Sequence, residues 1–204
     1  MQELTDFLRT RRKMNLILIG INLAVYLVLE WIGDTENASF MLRWGACYTP
    51  SVLDGEYWRL FTAMFLHFGF RHIVCNMFSL LFLGDILESM IGPVRYLLIY
   101  LAGGLAGNLL SMALELRSDS YAISAGASGC IFAVTGALLL LAIRNRGKTG
   151  QLDARRIGMM VLLMVLQGAV DTGVDNAAHI GGLVAGFLLA LLLCPPRRRR
   201  MRQL

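Results

Sequence analysis

Long apolar blocks constrain this 204-residue chain more than any other feature. Most of them run for roughly 17–24 residues between short polar breaks, the span a helix needs to cross a bilayer core ~30 Å thick. Strands of a membrane barrel would alternate apolar and polar residues, and these blocks do not. Composition points the same way. The chain is 56% hydrophobic and 16% charged, whereas soluble domains carry about a quarter charged residues. The fold class implied is an all-α membrane protein.

Six segments can be marked. They run from Met14 to about Ile32, from about Phe70 to Met90, from Val94 to about Leu116, from Ala122 to Ile143, from Ile157 to about Val170, and from Ala177 to Cys194. An amphipathic stretch, Tyr57 to Phe68, precedes the second. The first is longer than a signal-peptide core and lacks a small-x-small cleavage site, so it reads as a retained helix. The chain then divides into a polar, basic segment 1–13, a membrane domain 14–194 and a basic tail 195–204.

Basic residues set the expected orientation. With the N-terminus in the cytoplasm and six crossings, only Arg43, Arg59, Arg71 and Arg117 of the 19 Lys and Arg residues fall outside. Lys- and Arg-rich loops stay cytoplasmic, so both termini are expected inside, in a multi-pass protein of the cell membrane. Arg197 to Arg200 and Arg202 read as a topology anchor facing anionic lipid headgroups, not as a nucleic-acid-binding tail. Cys47, Cys75, Cys130 and Cys194 show no metal-ligand or disulfide spacing. No metal or cofactor is called for. The long loop Gly33 to Arg59 carries Phe40, Trp44, Tyr48, Tyr57 and Trp58, which suit the membrane interface.

Polar side chains inside spanning helices are costly and point to function. Here they are His67, His72 and Asn76 around the second segment, Ser128 in the fourth and His179 in the sixth. Counting from Ala122, Ser128 is expected ~9 Å into its helix at ~1.5 Å per residue. His179 lies just inside the sixth segment, and His72 and Asn76 share one face of the second. All would lie in the outer part of the membrane. Ser128 is flanked by Gly126 and Gly129, and a serine needs a base to become a nucleophile. The small residues Ala178, Gly182 and Gly186 form a face that lets helices touch closely, which would bring His179 to Ser128. The Ser128 N–H, His72 and Asn76 are candidate oxyanion donors. A transporter would place carboxylates or broken helices near mid-membrane, but Asp85 and Glu88 lie near the cytoplasmic end.

Four motifs in order resemble the rhomboid intramembrane serine proteases: Tyr57-Trp58-Arg59, the stretch His67 to Asn76, Gly126-Ala127-Ser128-Gly129, and Ala178-His179-Ile180-Gly181-Gly182 with Gly186. The resemblance spans roughly Gly45 to Leu193. It implies a six-helix bundle and a Ser128–His179 dyad with no acidic third member. It also implies an oxyanion hole from the Ser128 amide, His72 and Asn76. Gly126 matches the family glycine two before the serine. Phe132 matches an aromatic that stacks on the catalytic histidine, often a tyrosine. Trp58 and Arg59 match residues that order the first loop. The implied partners are transmembrane protein substrates and membrane lipids, with the site open to the extracytoplasmic side. Inactive relatives lack the serine or histidine, and this chain keeps both. Asp175, one turn before His179, is a geometric alternative as a third member, and Asp171 lies nearby.

Overall fold

The structure, a computed structural model, describes residues 12–145, 148–149, 152–153, 155–160, 162 and 173–195. Helix α1 is Lys13–Ile32. Three short helices follow in the first loop: α2 (Ala38–Arg43), α3 (Thr49–Leu53) and α4 (Arg59–Thr62), the last running into a 3₁₀ turn at Ala63–Phe65. Then come α5 (Gly69–Ile91), α6 (Pro93–Ser118), α7 (Ser128–Arg144) and α8 (Asn176–Leu193). Helices α1, α5, α6 and α8 are long and apolar enough to cross a membrane, and α7 is a shorter apolar helix. Residues 155–160 are helical. Most of the expected fifth span, to Val170, lies outside the described residues, as do most of segment 1–13 and of the tail 195–204.

The membrane bundle is all-α, as expected, and beside it Lys148–Thr149 pairs antiparallel with Leu152–Asp153 as two-residue strands. One expectation needs correction: the fourth helix starts at Ser128, not Ala122. Before it the backbone is extended and tied elsewhere: Cys47 and Ser124 exchange both backbone hydrogen bonds, at 2.8 and 2.9 Å. Gly126 has φ +145°, a region that side-chain-bearing residues avoid. Hydropathy reads Ala122 to Ala127 as the start of a span, but these pairings with the first loop hold it open. Ser128 is therefore the first residue of its helix.

Helix α7 is the centre of the bundle, with every residue from Gly129 to Leu138 buried. A helix apolar on all sides needs cover on all sides. Helices α6 and α8 provide much of it through glycines. A β-carbon at Gly182 would fall 2.1 Å from the Gly129 carbonyl oxygen, and one at Gly186 would fall 1.9 Å from that of Ala133. From the other side, a β-carbon at Gly136 would fall 2.1 Å from the Leu183 oxygen, and one at Gly107 of α6 2.6 Å from that of Ala178. Backbone meets backbone along this seam, the contact small residues make possible in membranes.

A second polar assembly fixes the opposite end. Helix α1 has no side-chain cap of its own. The buried Glu88 carboxylate of α5 accepts the N–H groups of Asn15 (2.8 Å) and Met14 (3.2 Å) instead, satisfying donors a helix start leaves open. Residues Leu80–Gly84 of α5 form a π turn. There Asn15 Nδ2 donates to the Leu80 carbonyl at 2.9 Å, and Tyr96 donates to Asn15 Oδ1 at 2.7 Å. The carboxylates read as merely lying near the cytoplasmic end thus clamp α1 to α5.

The seam can be tested directly. Gly186→Ala should lower stability by about 1–3 kcal/mol through overpacking, read by thermal unfolding in micelles. Gly20→Ala is the control, since nothing lies within 4 Å of a β-carbon there, and it should leave the midpoint unchanged or raise it.

Candidate active site

Ser128 opens α7, so its backbone N–H has no carbonyl one turn earlier in the helix to donate to. It also stands at the positive end of the helix dipole. His179 lies in the first turn of α8, just after the N-cap Asp175. The glycine seam brings these two helix starts together, and His179 Nε2 lies 2.8 Å from Ser128 Oγ. The Phe132 ring, one turn after Ser128, stacks on the imidazole with centroids 4.3 Å apart and planes 13° from parallel. The imidazole is thus held on one face by Phe132, with Nε2 directed at the hydroxyl.

His72, in the first turn of α5, approaches from a third helix. A β-carbon at Gly126 would meet its Nε2 and Cε1 at 2.9 Å and Ser128 Oγ at 3.6 Å. The missing side chain of Gly126 is therefore the space between His72 and Ser128. Asn76 is buried, and its Nδ2 donates to the His72 carbonyl at 3.2 Å. One of its two amide hydrogens is thus occupied by the backbone carbonyl one turn earlier in its own helix.

Asp175 is placed differently from a triad acid. Its Oδ1 accepts the Ala178 N–H at 2.9 Å and its Oδ2 accepts the Ser111 hydroxyl at 2.6 Å. His179 Nδ1 is buried without a hydrogen-bond partner among the described residues. Asp171 lies outside those residues.

Trp58 and Arg59 organise the first loop. The buried Arg59 guanidinium donates to the Glu56 carboxylate and to the carbonyls of Leu42 and Ala46. Its carbon lies 4.6 Å from the centre of the Trp58 ring. That loop in turn holds the segment before the serine, through the Cys47–Ser124 pairing and a 2.9 Å bond from Gly126 N–H to the Ala63 carbonyl.

Sequence reasoning singled out His67 but gave it no role. Its Nε2 accepts the Ala127 N–H at 3.3 Å, one residue before Ser128, and its ring packs edge-on against His72 at 5.1 Å. Burial, reinforced by the charge His72 can carry, pushes its pKa down to about 3. A protonated ring could not accept from Ala127. Asn108, Ser111 and Glu115 on α6 were missed altogether, although polar residues three and four apart on an apolar helix were a visible signal.

The rhomboid domain pattern matches residues 54–196, and so covers every residue of this constellation. The chain belongs to the rhomboid family. It is 35% identical over 185 residues to the rhomboid protease GluP of Bacillus subtilis, covering 89% of this chain and 35% of that protein. It is 31% identical over 201 residues to the putative rhomboid protease YdcA of the same organism, covering 95% of this chain and 99% of that one. A plant relative, RHOMBOID-like protein 6, mitochondrial, of Arabidopsis thaliana, is 39% identical over 159 residues, 77% of this chain and 50% of its own length. This rhomboid therefore spans about a third of GluP and half of the plant protein, but nearly all of YdcA.

The buried His67 generates a pH prediction. Above its unfolded pKa of ~6.5 it is neutral in both states. Below that the unfolded chain takes up a proton the folded chain refuses until about pH 3. Stability should therefore be full above pH ~6.5 and fall progressively toward pH ~3. Thermal midpoints across that range should show a shallower acid decline in His67→Gln than in wild type. Equal slopes would contradict the assignment.

Proposed function

We propose that this rhomboid is an intramembrane serine endopeptidase that hydrolyses peptide bonds in or near transmembrane segments through a Ser128–His179 dyad. The observation that carries the reading is the 2.8 Å approach of His179 Nε2 to Ser128 Oγ, with Phe132 stacked on the ring. Relatives named rhomboid proteases add weight to it.

In the proposed reaction His179 Nε2 takes the Ser128 hydroxyl proton as Oγ attacks the substrate carbonyl carbon. The oxyanion is held by the Ser128 N–H at the head of α7, with His72 and Asn76 as further donors. Asn76 must then turn its amide, or use its second hydrogen, toward the site. The C–N bond breaks as His179 returns the proton to the leaving amine, and the acyl-enzyme remains on Oγ. Water then attacks the acyl carbon as His179 takes one of its protons; the C–Oγ bond breaks, His179 returns that proton to Oγ, and the product leaves with a new carboxyl group. No acid is assigned behind His179, since both Asp175 oxygens have other partners. The reaction as drawn uses the protein's own side chains, one backbone N–H and water, without metal or cofactor.

The setting we infer is a six-span bundle in the cell membrane with both termini cytoplasmic and the site open to the outer side. Supporting it are the basic-residue bias and the grouping of Ser128, His179 and His72 at helix starts that share one end of the bundle. A helical substrate hides its backbone in hydrogen bonds, so it must unwind locally, and single-span proteins with Gly or Pro near the outer end suit best. Anionic lipid around the basic tail completes the proposed surroundings.

Cleavage of a model transmembrane substrate in liposomes tests this. Ser128→Ala and His179→Ala should each lose at least about 10³-fold in kcat. Normal cleavage by both would sink the dyad. Gly126→Ala should also lose activity, because its β-carbon meets His72 and the backbone would carry about 1–3 kcal/mol of strain.

A further inference from the structure

Helix α6 is mostly apolar, yet one face of its C-terminal part carries Asn108, Ser111 and Glu115. Each reaches a different part of the site's framework. Asn108 Nδ2 donates to the Leu60 carbonyl of α4 at 2.7 Å. The buried Ser111 donates to Asp175 at 2.6 Å, and Asp175 caps α8 through the Ala178 N–H. Glu115 accepts the Thr49 hydroxyl of α3 at 2.5 Å with one oxygen and the Ala122 N–H at 3.0 Å with the other. Ala122 begins the extended segment that ends at Ser128. Among the described residues neither the Asp175 nor the Glu115 carboxylate hydrogen-bonds to Ser128 or His179; the Asp175 backbone carbonyl accepts the His179 N–H at 3.2 Å, as an ordinary bond of the α8 start.

We infer that Glu115 and the Ser111–Asp175 pair are positioning residues, which use α6 as a common support to hold the serine segment and the start of the histidine helix in register. The physical argument is one of leverage. Ser128 and His179 both lie at helix starts, where backbone donors are unsatisfied and fraying begins. The first turn of α8 is held by its cap, and caps of this type matter to terminal order. The serine segment is extended and gains no intrahelical bonds, so its place depends on side ties such as Glu115. On this account the carboxylates act by geometry and not by charge. Amide side chains would preserve the ties: Asn at 175 can accept from Ala178 and donate to Ser111, and Gln at 115 can accept from Ala122 and donate to Thr49.

The inference rests on the protease reading for its kinetic test, and a second readout is independent of it. The experiment uses the full chain in lipid nanodiscs with a model transmembrane substrate. Asp175→Ala and Glu115→Ala should lower kcat by roughly tenfold to a hundredfold with KM little changed, as expected for misplacement of reacting groups. Asp175→Asn and Glu115→Gln should stay within about threefold of wild type. Amide variants as poor as the alanine variants would mean that charge is the cause and overturn the inference, as would alanine variants with wild-type kcat. If an alanine variant fails to fold, Ser111→Ala decides: it removes one tie, and a wild-type kcat in it would contradict the proposal. Hydrogen exchange supplies the independent readout. Asp175→Ala should speed exchange in residues 176–182, and Glu115→Ala in 120–127, with the amide variants protected. Unchanged exchange in both alanine variants would overturn the ties even if the chain cleaves nothing, whereas a silent wild type with these exchange changes would remove the protease reading alone.

Discussion

The contact on which the rest of this molecule depends is backbone against backbone, where α7 meets α8. Gly182 lies on the Gly129 carbonyl and Gly186 on that of Ala133, with no room for a methyl group at either place. In a bilayer, lipid tails are as apolar as leucine side chains, so helices associate through close packing and not by escaping water. This seam provides the packing, and its register decides which first-turn residue of α8 faces the first residue of α7. Given that register, His179 meets Ser128 at hydrogen-bond distance. A shift of one residue along α8 would move the imidazole by about 100° around the helix axis and separate the pair.

Polar groups are concentrated at the two ends of the bundle and do different things there. At the end away from Ser128, Glu88, Asn15 and Tyr96 fasten α1 to the π turn of α5 and to α6. At the other end, Arg59 orders the first loop, the loop pairs with the segment before Ser128, and α6 ties both to the cap of α8. The apolar middle fixes depth and distance between helices. The polar rim fixes the orientation of groups that a hydrophobic contact, being non-directional, would leave free to turn.

Much of this was legible in the sequence because spans are a composition problem. The limits of α1, α6 and α8 fall within a few residues of their apolar blocks, and the spacing of Ala178, Gly182 and Gly186 gave the packing face. The start of α7 was not legible. Ala122 to Ala127 is as apolar as a helix turn, and what keeps it extended is Cys47, about 80 residues earlier in a chain with no local signal for that pairing. The same holds for Glu88 as a cap of α1 and for His67 as acceptor of the Ala127 N–H. Each is a bond between distant segments. The role of Asp175 was open for a related reason: its position one turn before His179 fits a triad acid and an N-cap equally, and only its partners distinguish the two.

The central claim is that Ser128 is a nucleophile made reactive by His179. The most direct measurement is mapping, by mass spectrometry of the purified chain, where a fluorophosphonate adds. The account predicts one adduct on Ser128 in wild type, lost when His179 is replaced by alanine while the protein remains folded. An adduct on another residue, or one on Ser128 that forms equally fast without His179, would contradict it.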